Sequence, residues 1–201
     1  MKKLLALALV AVMAGGAMAQ GAGTFNGGMG VFFSDTEFTD ANTNLDPGIG
    51  VQFQAYLVVI DCGLNTVGGY ECGLELQGGS PFILGVSGPN GWQNFGTNTD
   101  HQVGYTTPLP VDGNRNAVLM TFEMLYTAMD PVDIVLKGSV LQTLPGWDGP
   151  VLSDGSLPDD LYQCFITGNG NGEPTVAATL YGAGVTATES RSLSSVKSLF
   201  E

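Results

Sequence analysis

Three cysteines and one histidine are the residues of this chain best suited to act as nucleophile, base or soft metal ligand. Cys62 and Cys72 lie ten residues apart in the stretch QAYLVVIDCGLNTVGGYECGLEL, while His101 and Cys164 lie further along the chain. A catalytic thiol needs a neighbouring base to form its thiolate, and nothing in the sequence brings His101 to a cysteine. A structural zinc site needs four nitrogen or sulfur ligands and would have to use every candidate in the chain. We therefore expect these residues to be structural.

The first two cysteines are predicted to form a disulfide. Alternation places Cys72 on the same strand face as Tyr70, and Cys62 on the same face as Ile60, so both cysteines fall on the apolar side of an expected β-hairpin. Because the chain is expected to be exported, as argued below, an oxidising environment favours a bridge. A bridge from Cys164 to either partner, or three buried free thiols, are the alternatives.

Two further sets of residues have types suited to ligand binding. The first is an alternating series of oxygen-bearing side chains, as in the early part of a calcium loop: Asp40, Asn42, Asn44 and Asp46. Leu45 and Val51 replace the glycine and glutamate that complete such a loop, so an Asx-rich surface loop is the simpler interpretation. The second set contains aromatic residues in or beside loops, which could stack on sugar rings or plug the ends of a sandwich: Trp92, Tyr105, Trp147 and Tyr162.

No other catalytic motif is recognisable in the sequence. There is no G-x-S-x-G elbow, no phosphate-binding loop and no dinucleotide fingerprint. No pair of carboxylates can be assembled from spacing alone, so a hydrolase is the least favoured class. We predict a protein that is not an enzyme and needs no cofactor.

The amino terminus, MKKLLALALVAVMAGGAMAQ, has the three parts of a secretory signal peptide. Lys2 and Lys3 precede an apolar run, and small residues at Ala17 and Ala19 suit cleavage before Gln20. The apolar run is shorter than the roughly 20 residues that span a bilayer. The sequence therefore predicts a signal peptide at 1–19, no membrane span after its cleavage, and a secreted or cell-surface location.

Charge excludes one class of partner. The chain has 6 Lys and Arg against 19 Asp and Glu, a formal net charge of −13, and the predicted signal removes two of the six cations. Binding to nucleic acid phosphates requires clusters of Lys and Arg, which the sequence lacks. We therefore do not expect nucleic acid as a partner. The expected partner is a cell-surface protein or polysaccharide.

Composition and turn spacing predict an all-β domain over residues 20–186. The chain contains 30 Gly and 10 Pro, and short runs rich in Val, Thr, Phe and Tyr alternate with Asp-Gly and Pro-Asn-Gly turns. The segment 117–127 contains helix formers but alternates with a period of two, which favours a strand. We expect two packed antiparallel sheets in an immunoglobulin-like or cohesin-like sandwich.

The last fifteen residues, 187–201, differ in composition from the body. From Ser192, apolar residues recur at the spacing of a short amphipathic helix: Leu193, Val196, Leu199 and Phe200. Nine residues make a marginal helix that needs a surface to pack on. The segment is therefore interpreted either as a helix docked on the sandwich or as a tail read by another protein.

Several runs resemble those of exported proteins of environmental bacteria that have cohesin-like or immunoglobulin-like sandwiches. They are FQAYLVVIDC, VGGYECGLEL and FILG, then YTTPLPV and LPGWDGPVLSDG, and the tail ESRSLSSVKSLF, which is similar to a recurring C-terminal sorting or attachment tag. The resemblance implies a fold and a tag but no activity and no site residues. The expected function is that of a non-enzymatic structural or adhesion protein, with a carbohydrate- or calcium-dependent binding module as the alternative.

Overall fold

Alternating β-branched and aromatic residues between glycine-rich turns form strands throughout the computed structural model, which describes residues 25–79, 81–127, 130–167 and 172–181. These ranges contain twelve strands: β1 (Phe25–Phe32), β2 (Asn44–Leu45), β3 (Gln52–Ile60), β4 (Thr66–Gly78), β5 (Phe82–Ser87), β6 (Trp92–Asn94), β7 (Asp100–Pro110), β8 (Ala117–Leu125), β9 (Val132–Lys137), β10 (Val151–Asp154), β11 (Leu161–Ile166) and β12 (Thr175–Leu180). A 3₁₀ helix at Asp40–Thr43 is the only helix in the described ranges. None of the described residues forms a helix that could cross a membrane.

The strands form two packed layers around a large hydrophobic core, and Tyr126, Val132 and Leu180 form a second, smaller cluster. Hydrogen bonds order one layer as β5-β8-β3-β1-β11 and the other as β6-β7-β4-β9-β12-β2. Strand β10 pairs with β11 and with β4, and thereby joins the two layers. Leu57 of β3, Phe122 of β8 and Leu136 of β9 are at most 3% exposed and belong to the same core cluster. The prediction of an all-β fold is confirmed.

Two strand pairs are parallel, so the prediction of a purely antiparallel sandwich is wrong. β1 pairs in parallel with β11, and β2 pairs in parallel with β12. Alternation of apolar and polar residues reports which face of a strand is buried, and it carries no information about the direction of the neighbouring strand. The predicted signal peptide at 1–19 and the predicted helix at 192–200 lie outside the described residues.

The stretch 54–76 does not form the predicted hairpin. β3 pairs with β1 and β8, whereas β4 pairs with β7, β9 and β10, so these consecutive strands lie in opposite layers. At the crossing, Asp61 has a left-handed φ of 50°, and the Arg115 side chain donates to the carbonyl oxygen of Cys62 at 3.0 Å. On the face of β3 expected to be apolar, Val58 and Cys62 are buried, whereas Tyr56 and Ile60 are only half-buried. The other face is fully buried at Ala55, Leu57 and Val59.

The predicted bridge between Cys62 and Cys72 is not formed, because all three cysteines are free and buried. Cys62 follows β3 in one layer and Cys72 lies within β4 of the other, so the short cross-strand distance of a hairpin disulfide does not arise. Cys164 donates through its Sγ to the carbonyl oxygen of Gly27 at 3.3 Å. Burial raises the pKa of each thiol above its usual value, which keeps all three protonated.

Residues 117–125 form strand β8, as predicted in preference to a helix. Met120, Phe122 and Met124 face the core on the predicted parity. The pairing with β3 skips Leu119, which makes this residue a β-bulge. The bulge shifts the parity of the strand, so Leu119 is fully buried, whereas Val118, which alternation places on the same face as Met120, is only half-buried.

Candidate functional site

An open cleft of about 440 Å³ lies where β4 pairs with β7 and β10. Two glycines, Gly69 of β4 and Gly104 of β7, are cross-strand partners and line it. Since neither residue has a side chain, another molecule can approach the sheet backbone closely at this point. Tyr70, Val103 and Val151 also border the cleft, although they are buried. The other apolar residues of the lining are Phe95, Pro158 and Leu161. The polar lining consists of Glu71, Gln102 and Ser153.

Phe95 forms one wall of the cleft and is held by a hydrogen-bonded turn between β6 and β7. Its backbone N–H donates to the carbonyl oxygen of Gln102 at 2.9 Å. The Asn94 side chain orders the turn, since its Oδ1 accepts from the Gly96 N–H at 3.0 Å and its Nδ2 donates to the Thr97 carbonyl oxygen at 2.9 Å. The Phe95 side chain is 74% exposed. The turn therefore presents an aromatic ring to solvent on a fixed backbone.

The connection between β10 and β11 supplies the opposite wall, through Pro158 and Leu161. Asp154 Oδ1 accepts a hydrogen bond from the Ser156 N–H at 2.7 Å, and the N–H of Asp160 donates to the carbonyl oxygen of Leu157 at 2.8 Å. These local bonds make the connection a tight turn rather than an extended loop. Leu157, beside Pro158, is exposed.

Val140 and Leu141 form an apolar ledge beside the cleft; their side chains are 79% and 68% exposed. Three hydrogen bonds fix the backbone of this ledge. The Val140 N–H donates to Asp100 Oδ1 at 2.9 Å, the Leu141 N–H donates to Ser139 Oγ at 3.3 Å, and Gln102 Nε2 donates to the Leu141 carbonyl oxygen at 3.2 Å. Gln102 also lines the cleft, so the ledge and the cleft are directly connected.

Glu71, a carboxylate of the cleft lining, is engaged by the loop that carries the ledge. Thr143 donates to it through both its backbone N–H, at 3.0 Å, and its hydroxyl group. A carboxylate that accepts two such bonds stabilises the loop and is poorly placed to serve as a free base. Among the described residues, no group of three His, Cys, Asp or Glu side chains could hold a metal ion.

Cys72 and His101 are cross-strand partners on β4 and β7, a juxtaposition that sequence reasoning did not anticipate. Both side chains are fully buried. Burial raises the pKa of the Cys72 thiol, and burial lowers the pKa of His101 to about 4. Both groups are therefore neutral at pH 7, whereas a nucleophilic cysteine requires a thiolate beside an imidazolium. The His101 ring instead packs edge-on against Phe122, with ring centroids 5.8 Å apart.

The aromatic residues proposed for sugar stacking do not line the cleft. Three of them are partly buried and pack against the core cluster: Trp92, Tyr105 and Tyr162. The indole of Trp92 donates to the Tyr70 hydroxyl at 3.4 Å. Trp147 donates to the Pro150 carbonyl oxygen at 2.8 Å, and its ring covers the backbone of Gly149. Phe95, which the sequence analysis did not single out, is the aromatic residue with an exposed face at the cleft.

The residues proposed for calcium lie in the 3₁₀ helix and just after it: Asp40, Asn42, Asn44 and Asp46. Three of their side chains make hydrogen bonds within the protein. Asn44 Oδ1 accepts from the Tyr181 hydroxyl at 3.1 Å, and Asp46 Oδ1 accepts from the Gly48 N–H at 3.3 Å. Asn42 Nδ2 donates to the Glu37 carbonyl oxygen at 3.0 Å. These contacts tie the segment to β12 and close its turns.

The ledge was missed because the run VDIVLKGSVLQ has the composition of one long strand. In the structure β9 ends at Lys137, and the Gly138 N–H donates to the Asp148 carbonyl oxygen of the following loop at 2.9 Å. Gly138 and Ser139 form a turn signal that interrupts the apolar run. This signal could have indicated that Val140 and Leu141 leave the sheet.

No protein-family model and no curated protein matches the sequence. Among solved structures, the chain is similar to a cohesin module from a Clostridium perfringens family 33 glycoside hydrolase, with a TM-score of 0.49 and 10% identity over 80% of this chain and 100% of that module. It is also similar to the sixth cohesin from Acetivibrio cellulolyticus scaffoldin B, in complex with a mutant Cel5 dockerin, with a TM-score of 0.40 and 10% identity over 79% of this chain and 99% of that one. Similarity at this level describes shape and carries no function to this chain.

Proposed function

We propose that this chain is a non-catalytic protein-binding module that takes a partner polypeptide into the cleft between Phe95 and Leu161. The cleft lining is mainly apolar, its floor is open at Gly104, and its carboxylate is engaged by Thr143. Concave, largely apolar surfaces with a few fixed polar groups are typical of binding sites. This arrangement supports recognition in preference to chemistry.

The observation that carries the proposal is the rigid apolar ledge. Monomeric proteins usually scatter exposed apolar side chains singly, whereas here Phe95 lines the cleft and three more are exposed on the segments beside it: Val140, Leu141 and Leu157. Asp100, which accepts a hydrogen bond from the Val140 N–H, and Gln102, which donates to the Leu141 carbonyl oxygen, hold the backbone of the ledge in place before any partner arrives. Preorganisation of this kind reduces the entropy lost on binding.

A substitution at Gly104 tests the proposal. A Cβ at this position meets no atom within 4 Å, so the side chain of Gly104→Trp enters the cleft without straining the sheet. Peptides selected from a random display library on the wild-type protein should bind Gly104→Trp roughly 100-fold more weakly, as expected when a central contact surface is blocked. Isothermal titration calorimetry measures both dissociation constants.

Gly113→Trp is the matched control, because a Cβ at Gly113 also meets no atom within 4 Å and the residue lies in the turn before β8, outside the cleft lining. This variant should bind the selected peptides as the wild type does, and circular dichroism should show both variants folded. Selected peptides that bind Gly104→Trp with unchanged affinity would show that the cleft is not the binding site. Failure of the wild type to select any peptide would also count against the proposal.

We further propose that the module works at the cell surface or in the medium, with the segment 187–201 as a sorting or attachment signal. The support is the signal-like segment 1–19, the acidic composition and the altered composition of the tail. Deleting 187–201 should leave the melting temperature almost unchanged, because a short helix contributes little to a core of this size. Cell fractionation should show the protein redistributed between surface and medium. A melting temperature lowered by several degrees with unchanged location would instead identify the segment as part of the fold.

A further inference from the structure

The segments that surround the cleft are acidic throughout. Residues 66–73, 92–104 and 138–161 contain six carboxylates and no Lys or Arg, and the carboxylates are Glu71, Asp100, Asp148, Asp154, Asp159 and Asp160. The one histidine in these segments, His101, is buried and neutral at pH 7. The formal charge of the segments that form the cleft is therefore negative.

The described cations nearby do not offset this charge. Lys137, on the strand next to β4, forms an ion pair with Glu75 at 2.9 Å. Arg115 donates to the carbonyl oxygens of Asp61 and Cys62, at the crossing between β3 and β4. Neither cation belongs to the cleft lining. A partner that enters the cleft meets acidic side chains, and no Lys or Arg is among the described residues that line it.

Asp159 and Asp160 lie between Pro158 and Leu161, which line the cleft, so their charges adjoin the apolar wall. Asp100 and Glu71 lie on the ledge side, where they hold Val140 and Thr143. The surface thus has an apolar centre with carboxylates on two sides. Such a surface is complementary to an apolar side chain that has positive charges beside it.

We infer that the partner of the cleft is an extended polypeptide segment in which an apolar anchor is flanked by Lys or Arg. This inference rests on the proposed function and specifies its partner. The apolar anchor fills the space above Gly104 between Phe95 and Leu161, and the cationic side chains lie over Asp159 and Asp160. A neutral polysaccharide leaves the carboxylates without partners, and an acidic segment is repelled by them.

The test uses the cleft-dependent peptides selected on the full-length protein. Their sequences should be enriched in Lys or Arg beside an aromatic or aliphatic residue. Replacing those basic residues by Glu should weaken binding about tenfold or more at low ionic strength, and the difference should shrink as salt is added. Fluorescence anisotropy of the labelled peptides at several salt concentrations measures this.

A pair of protein variants isolates the charges of the cleft. The double variant Asp159→Asn, Asp160→Asn should bind the Lys- or Arg-containing peptides about threefold to tenfold more weakly than the wild type does. It should bind their Glu-substituted forms with equal or higher affinity. The control, Glu37→Gln with Asp40→Asn, removes the same charge near the 3₁₀ helix, which does not line the cleft, and should change binding little. A melting temperature equal to that of the wild type confirms that both are folded.

The outcomes separate the two proposals. If Gly104→Trp abolishes binding but the selected peptides are neutral or acidic, the cationic partner is excluded and the protein-binding cleft remains. The same conclusion follows if Asp159→Asn with Asp160→Asn has no more effect than the control pair. If the selected peptides bind Gly104→Trp as well as the wild type, both the inference and the proposed function fail.

Discussion

Lowering the pH from about 6.5 to about 4 should cost the folded state roughly 3 kcal/mol through His101 alone. The side chain is fully buried, and burial lowers its pKa to about 4 even though the carboxylate of Asp100 acts in the opposite direction. In the unfolded chain the imidazole has an ordinary pKa of about 6.5. Between these two values the unfolded state binds more protons than the folded state, so acidification favours unfolding.

The hydrogen bonds of His101 explain why protonation is unfavourable. The amide of Asn94 is oriented by its bond to the Thr97 carbonyl oxygen, so its Nδ2 donates to His101 Nδ1 at 3.2 Å. The other ring nitrogen, His101 Nε2, is buried and has no hydrogen-bond partner among the described residues. Protonation would place a positive charge in the core, where the Asp100 carboxylate and the Asn98 backbone hydrogen bond only partly offset its loss of hydration.

His101→Gln is the matched variant, because glutamine retains an acceptor for Asn94 and does not titrate. Urea unfolding of both proteins should be measured from about pH 8 to about pH 4. This range begins above the ordinary histidine pKa of about 6.5 and ends at the lowered pKa of about 4. Each protein then gives a profile of unfolding free energy against pH. The contribution of His101 is fully present above about pH 6.5 and is lost as the pH falls toward 4, so the wild-type profile should be the steeper one. Parallel profiles would show that His101 does not have the lowered pKa.

Replacing the two cleft glycines by alanine should have very different effects on stability. Gly69→Ala should lower the free energy of unfolding by about 3 kcal/mol, and Gly104→Ala should change it little. A Cβ at Gly69 would lie 2.3 Å from the carbonyl oxygen of Val103, which belongs to the sheet backbone and cannot move aside without breaking pairing. A Cβ at Gly104, directly opposite, meets no atom within 4 Å. Neither residue has a left-handed φ, so conformational strain does not contribute to the difference.

Urea unfolding of Gly69→Ala and Gly104→Ala tests this. Gly69→Ala should lower the unfolding midpoint strongly, and Gly104→Ala should leave it unchanged or raise it slightly because alanine restricts the unfolded chain. Each variant is the control for the other, since both replace glycine by alanine at one rung of the β4–β7 pair. Equal effects at the two positions would contradict the close approach of the Val103 carbonyl to Gly69.

The sequence by itself determined the secondary structure class and several core faces. The alternation in 117–127 identified a strand despite its helix-forming composition, and the apolar parity of Tyr70, Cys72 and Leu74 in β4 agrees with their burial. These predictions succeed because the side-chain period of a strand is a local property that hydrophobic burial selects directly.

Only the tertiary structure decided which strands are neighbours, and therefore whether Cys62 and Cys72 could meet. Consecutive strands β3 and β4 would form a hairpin if they paired, but they lie in opposite layers, and β1 runs parallel to β11. The same long-range pairing makes Cys72 a partner of His101 and places Gly69 opposite Gly104. Which strands pair depends on the total apolar surface that both layers bury. A local apolar pattern would bury the same surface in several different strand orders, so it does not select one of them. The cleft exists only in the arrangement formed, because its lining comes from segments that are as far apart in the chain as Gly69 and Leu161.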